Sequence, residues 1–118
     1  MAERTITLYG IPNCDQVRKA RTWLAAHKVE YTFHDFKREG LTAALAGRWL
    51  AQVGAEILIN RKGTTWRRLA DPRKLAVEEP GGAFSLMVAE TSVIKRPVLD
   101  VDGRITVGFS DNIYEQIF

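Results

Sequence analysis

Thr5-Ile6-Thr7-Leu8-Tyr9 alternates polar and apolar β-formers, the period of a strand with one buried face. Gly10-Ile11-Pro12-Asn13 breaks that alternation, and after Cys14 the apolar positions fall into helical spacing. Val17, Ala20 and Leu24 share one face, with Arg18, Arg21 and Lys28 elsewhere on the helix. Asn13 followed by Gln16 has the form of a capping pair, which predicts a helix start at or beside the cysteine. Val29 to Phe36, rich in aromatic and β-branched residues, predicts a second strand. A helix between two strands suits a crossover joining parallel neighbours.

Thr42, after Gly40, predicts a helix cap, and helical spacing then runs to Val53 with Gly54 as its stop. The pattern weakens from Glu56 to Glu90. There Ile57-Leu58-Ile59 reads as a short apolar turn, Asp71-Pro72 as the start of a short helix, and Ala83 to Ala89 as another helix. Val98-Leu99-Asp100-Val101 and Arg104-Ile105-Thr106-Val107 flank Asp102-Gly103, the strongest hairpin signal in the chain. Ser110 caps a last helix carrying Ile113, Tyr114 and Ile117. The order β-α-β, helices, then β-hairpin-α predicts an α/β fold with a four-stranded mixed sheet. The first two strands are expected to be parallel and the hairpin antiparallel.

Length and composition change this picture little. The chain has 118 residues, 46% hydrophobic and 26% charged, without repeats or a linker, which reads as one domain spanning residues 1–118. The formal charge of +3 is partly clustered: Arg18, Lys19 and Arg21 follow the cysteine, and Arg61, Lys62, Arg67 and Arg68 fall mid-chain. Interspersed acids such as Asp71 and Glu78-Glu79 argue against nucleic acid and for a small anion or an acidic protein face. Nothing at the N-terminus resembles a signal peptide, and no apolar run is long enough to span a bilayer. With one cysteine no internal disulfide forms, so the cytoplasm is the expected compartment.

That cysteine carries the candidate chemistry. A sulfur at a helix start lies near unpaired backbone N–H groups and the positive end of the helix dipole. Both favour the charged, nucleophilic form, and Arg18 and Arg21 are expected to add positive potential. The alternative is an inert cysteine packed as a small hydrophobe. Polar Asn13 and Asp15 on either side, in a Gly/Pro loop, suit an exposed thiol better. His27 and His34 form no zinc spacing with Cys14, so no metal is expected. Trp23, Trp49 and Trp66 read as packing residues.

Tyr9-Gly10-Ile11-Pro12-Asn13-Cys14-Asp15-Gln16-Val17-Arg18-Lys19-Ala20 resembles the opening of the arsenate-reductase family, and most closely its YffB-type branch. The likeness continues in Leu58-Ile59-Asn60-Arg61, Thr64-Thr65-Trp66-Arg67, Ile94-Lys95-Arg96-Pro97-Val98 and Gly108-Phe109-Ser110-Asp111. The resemblance implies a thioredoxin-like core with a helical insertion, roughly residues 42–91, between β-α-β and β-β-α halves. It implies that Cys14 is the nucleophile, that Arg96 holds an anion, and that the Arg96–Pro97 peptide is cis. Asn13 and Pro97 would border the ligand. Arg61 matches a second anion-binding arginine, although Asn60-Arg61-Lys62-Gly63 also reads as a plain solvated turn.

Two departures bear on the substrate. Arsenate reductases of the family carry a histidine-asparagine pair where this chain has Gly10-Ile11, and a further arginine where it has Gly108. The resemblance therefore implies a glutathione-dependent thiol reductase, with no bound cofactor and glutathione as co-substrate, rather than an arsenate reductase. The contrasting expectation is a regulator of the Spx type, which shares the fold and binds RNA polymerase. Val17 stands where redox-switching members carry a second cysteine, so a dithiol switch is excluded. A monomer is expected.

Overall fold

The computed structural model describes residues 4–118. The elements run β1 (Ile6–Gly10), α1 (Asp15–Ala26), β2 (Thr32–Asp35), α2 (Phe36–Glu39), α3 (Ala43–Val53), α4 (Ala55–Leu58), α5 (Thr64–Arg68), α6 (Asp71–Ala76), α7 (Gly82–Ala89), a 3-10 turn (Thr91–Val93), β3 (Val98–Val101), β4 (Arg104–Val107) and α8 (Asp111–Ile117). The chain forms two compact units: one from its two ends, joined at Asp35 and Arg96, and one from Phe36–Lys95.

The first unit holds a four-stranded mixed sheet in the order β2-β1-β3-β4. β1 is parallel to β2 and antiparallel to β3, and β3 and β4 form the antiparallel hairpin. Alternation along β1 turns Ile6 and Leu8 to one face, where they join Ala20, Trp23 and Leu24 of α1, Leu99 of β3 and Tyr114 of α8. The edge of the Trp23 ring meets Tyr114 at 5.5 Å, so α1 and α8 pack together over that face. Tyr114 is fully buried, its hydroxyl has no hydrogen-bond partner among the described residues, and burial pushes its phenol above the ordinary range.

Local chemistry explains the boundaries. α1 ends in a left-handed residue, Lys28 at φ 56, with Lys28 N–H bonded to Ala25 O and Val29 N–H to Leu24 O. This pair of hydrogen bonds closes the helix, and it takes Val29 out of the second strand, which begins at Thr32 rather than Val29. The strand also stops earlier than the pattern suggests, because Phe36 opens α2 and its carbonyl accepts the Gly40 N–H. Asp102 at φ 52 and Gly103 at φ 93 make the tight hairpin turn expected of that pair. Ser110 Oγ accepts the Ile113 N–H at 3.1 Å and caps α8.

The second unit is helical. Thr42 Oγ1 accepts the Leu45 N–H at 3.2 Å and opens α3 as expected. α3 packs against α4 and α7, and the fully buried Trp49 meets Phe36 edge-on at 6.1 Å. The apolar turn at residues 57–59 resolves into α4 followed by an isolated antiparallel bridge, Ile59 to Ile94. Asn60 N–H to Val93 O and Lys95 N–H to Leu58 O, each 2.7 Å, flank that bridge. The helical segment thus begins at Phe36 and runs to the 3-10 turn, wider than residues 42–91.

One close approach sets the start of α1. A Cβ added at Gly10 would lie 2.7 Å from Val17 Cγ2, so the end of β1 and the first turn of α1 fit only with glycine there. Gly10→Ala should therefore cost about 1–3 kcal/mol in chemical denaturation, the usual size of an overpacking defect. Combining it with Val17→Ala should cost less than the two single changes added together, since the second removes the obstructing methyls. Strictly additive losses would show that the contact is not limiting.

Candidate functional site

Cys14 is the N-cap of α1, with extended backbone at φ −100 and ψ 128, and its carbonyl accepts the Arg18 N–H at 2.9 Å. No side chain caps this helix. The expected Asn13–Gln16 pair does not form, because the helix begins at Asp15 and leaves Asn13 one residue outside the cap, exposed. The first-turn N–H groups of α1 are therefore not taken up by a capping side chain, and Cys14 beside them is partly exposed.

The two arginines expected to reinforce the thiol are engaged elsewhere. Arg18 Nη1 pairs with Asp15 Oδ1 at 3.1 Å, and its Nε donates to Pro12 O at 3.4 Å. Arg21 Nε donates to Tyr31 Oη at 3.0 Å while its guanidinium lies 4.1 Å from the centre of the Phe33 ring. Arg18 is paired with an acid, whereas Arg21 is held by neutral groups beside β2 and keeps its charge. The Arg18–Asp15 pair is exposed on both sides and adds little stability. Its bond to Pro12 O ties the loop before Cys14 to the helix after it.

Strand register brings the rest of the first-unit site to the same end of the sheet. Tyr9 pairs with Val98 and Val98 with Val107. The next residue of β1, Gly10, therefore leads into the cysteine loop beside Pro97, and Gly108 follows on the other side. The Arg96–Pro97 peptide is cis, Pro97 is buried, and its carbonyl accepts the Gly108 N–H at 2.8 Å. Arg96, half-buried, precedes it. Gly108 has φ 86, a conformation that disfavours any side chain there.

Asn13, Cys14, Arg96 and Pro97 are thus gathered at one end of one sheet. Arg61 belongs to the helical unit. It lies in a turn in which Asn60 Oδ1 accepts the Lys62 N–H at 3.2 Å. Its Nη2 pairs with Glu78 Oε1 at 3.3 Å, and its guanidinium covers Trp66 at 5.2 Å. With Lys62 and Lys95 it lines a cavity of about 490 Å³ floored by Ile57 and Ile59. The turn expected at 60–63 is present, and Trp66 packs under an arginine rather than inside the core.

A groove of about 730 Å³ escapes sequence reasoning altogether. It runs beside α1, lined by Arg18, Lys19, Trp23 and His27, and is closed by Phe109 and Ser110 before α8. His27 stacks on Trp23 at 3.7 Å, with Nδ1 2.8 Å from Trp23 O. The only signal in the sequence is the i, i+4 spacing of Trp23 and His27. No helix among the described residues is long and apolar enough to cross a membrane.

Known proteins share this architecture. The structure of the YFFB (PA3664) protein has 46% sequence identity, covers 95% of this chain and 97% of its own, and superposes with a TM-score of 0.90. An uncharacterized protein of Haemophilus influenzae is 37% identical over 96% of this chain and 98% of its own length. The global transcriptional regulator Spx of Streptococcus pyogenes is 26% identical over 91% of this chain and 80% of its own length. The sheet order, the cis peptide at Pro97 and the helical segment between the two halves agree with this thioredoxin-like fold. Residues 9–117 match the model of the ArsC family, so the chain belongs to that family.

Proposed function

We propose that the protein is a thiol–disulfide reductase that works through Cys14 alone and is regenerated by glutathione. The observation that supports this most is the position of Cys14: partly exposed, at the uncapped start of a helix, at the sheet end that also carries Arg96 and the cis Pro97. The Cys14 thiolate attacks one sulfur of a substrate disulfide, forming a mixed disulfide and releasing the other sulfur as a thiolate that takes up a proton. A glutathione thiolate then displaces the second substrate thiol, leaving glutathione joined to Cys14. A second glutathione attacks that bond, so that glutathione disulfide leaves and the Cys14 thiolate returns. Two glutathiones are oxidised for each disulfide reduced. The chain has no second cysteine to resolve the intermediate, so an external thiol is required. Arg96 would hold a glutathione carboxylate, a task suited to a planar guanidinium.

In an assay that follows oxidised glutathione formed from glutathione and a small disulfide, Cys14→Ser should lower turnover at least about a hundredfold. Mass spectrometry of the protein should show a glutathione adduct that this variant lacks. Arg96→Ala should raise KM for glutathione roughly tenfold, the cost of one charge-assisted bond. Arg104→Ala, exposed at the first position of β4, is the control. Full turnover in Cys14→Ser would refute the proposal.

Arsenate is not the substrate on this reading. The family's extra polar side chains are replaced by Gly10, which Val17 keeps side-chain-free, and by Gly108 at φ 86. An oxyanion would lack those partners. Supplied with glutathione and glutaredoxin, the protein should form arsenite at no more than the rate of a no-enzyme blank. Arsenite production that depends on Cys14 would overturn this.

A second reading, a regulator acting by protein contact, is favoured by the Spx relatives. On that reading RNA polymerase is the partner to test. It is distinguished by activity in cells that survives Cys14→Ser.

A further inference from the structure

Between Arg61 and Lys74 the chain places six cations against one acid, Asp71, more positive charge than the +3 of the whole protein. The remainder is therefore net acidic, and the basic excess belongs to this one stretch of the helical unit, around α5 and α6. Two of the six are neutralised, Arg61 by Glu78 at 3.3 Å and Arg73 by Glu90 at 3.8 Å. Among the described residues no carboxylate lies in salt-bridge range of Lys62, Arg67, Arg68 or Lys74. Instead Arg67 Nη2 donates to Lys62 O at 2.7 Å, and Lys74 Nζ donates to Arg67 O at 3.4 Å. Arg67 and Lys74 are thus held by backbone carbonyls, which carry no net charge to neutralise them, and are left open to a bound anion.

The helices beneath add a second, independent signal. Short helices ordinarily form because they bury an apolar face. Neither α5 nor α6 has a buried residue, and Leu75, next to Lys74, is 69% exposed. A strongly exposed leucine set among unneutralised cations suits a partner that offers both carboxylates and apolar side chains. A nucleic-acid backbone offers the charge without the apolar surface. It would also place a long polyanion against a protein that is net acidic outside this stretch. Trp66, the one aromatic ring within the stretch, has one face covered by Arg61, which leaves little aromatic surface for base stacking.

We propose that the α5–α6 surface docks an acidic, leucine-bearing segment of a protein partner, with Lys62, Arg67, Arg68 and Lys74 gripping carboxylates and Leu75 supplying the apolar contact. This surface does not depend on the thiol chemistry proposed for Cys14. The test is fluorescence anisotropy of the full chain with a short labelled peptide of glutamates interrupted by leucines. Arg67→Glu with Lys74→Glu should weaken binding at least about tenfold, as charge reversal at an interface does. Leu75→Ser should weaken it about threefold without altering the salt dependence, the effect of losing one exposed apolar contact. Arg104→Glu should change it by less than about twofold, and Cys14→Ser should leave it intact. Three results would each overturn the proposal. They are equal binding of the glutamine-for-glutamate peptide, an equal loss in Arg104→Glu, and tighter binding of a duplex DNA of matched charge.

Discussion

The antiparallel pairing of β1 with β3 joins the two ends of the chain, and the candidate site depends on it. In its register Leu8 faces Leu99 and Tyr9 faces Val98, so the residue after each strand pair, Gly10 on one side and Pro97 on the other, arrives at the same level. A slip of one residue would turn Ile6 and Leu8 away from Trp23 and Tyr114 and carry the cysteine loop away from the cis proline. The apolar core under α1 and α8 is what forbids that slip. Closing so long a segment costs entropy that grows only with the logarithm of its length, so the helical unit can be inserted between the strands without undoing the sheet.

The surroundings of Cys14 follow from how the neighbouring cations are employed. Arg18 and Arg21 are near in sequence, but one holds Asp15 and the Pro12 carbonyl and the other holds Tyr31 and Phe33. They fix the loop and the helix in place. Beside the sulfur lie the first-turn N–H groups of α1, which no side chain among the described residues caps. Packing and backbone geometry also constrain two glycines near the cysteine loop. Val17 lies where a Cβ of residue 10 would point, and the turn at Gly108 needs a left-handed backbone. Gly10 and Gly108 are thus set by local geometry. A side chain meets a steric contact at the first and an unfavourable backbone conformation at the second.

Much of this was legible in the amino-acid sequence wherever a local rule acts alone. Asp102-Gly103 can take the two positive φ values a tight hairpin needs, and Thr42 and Ser110 cap whatever helix follows them. The face formed by Val17, Ala20 and Leu24 depends only on helical spacing. The sequence also determined that one cysteine stands at a helix start and that a proline follows Arg96 at the head of a strand. Tertiary structure decided what spacing cannot express. Lys28 closes α1 through a left-handed turn without glycine, which shortens β2, and Asn13 falls outside the cap it was expected to provide. Thr64-Thr65-Trp66 forms α5 against its weak helical propensity. Above all, the partner of each arginine is a matter of distance in the folded chain: Glu78 for Arg61, Tyr31 for Arg21, and a backbone carbonyl for Arg67. Charge type is written in the sequence, but whether a charge is spent within the fold or left for a ligand is settled only when remote segments meet.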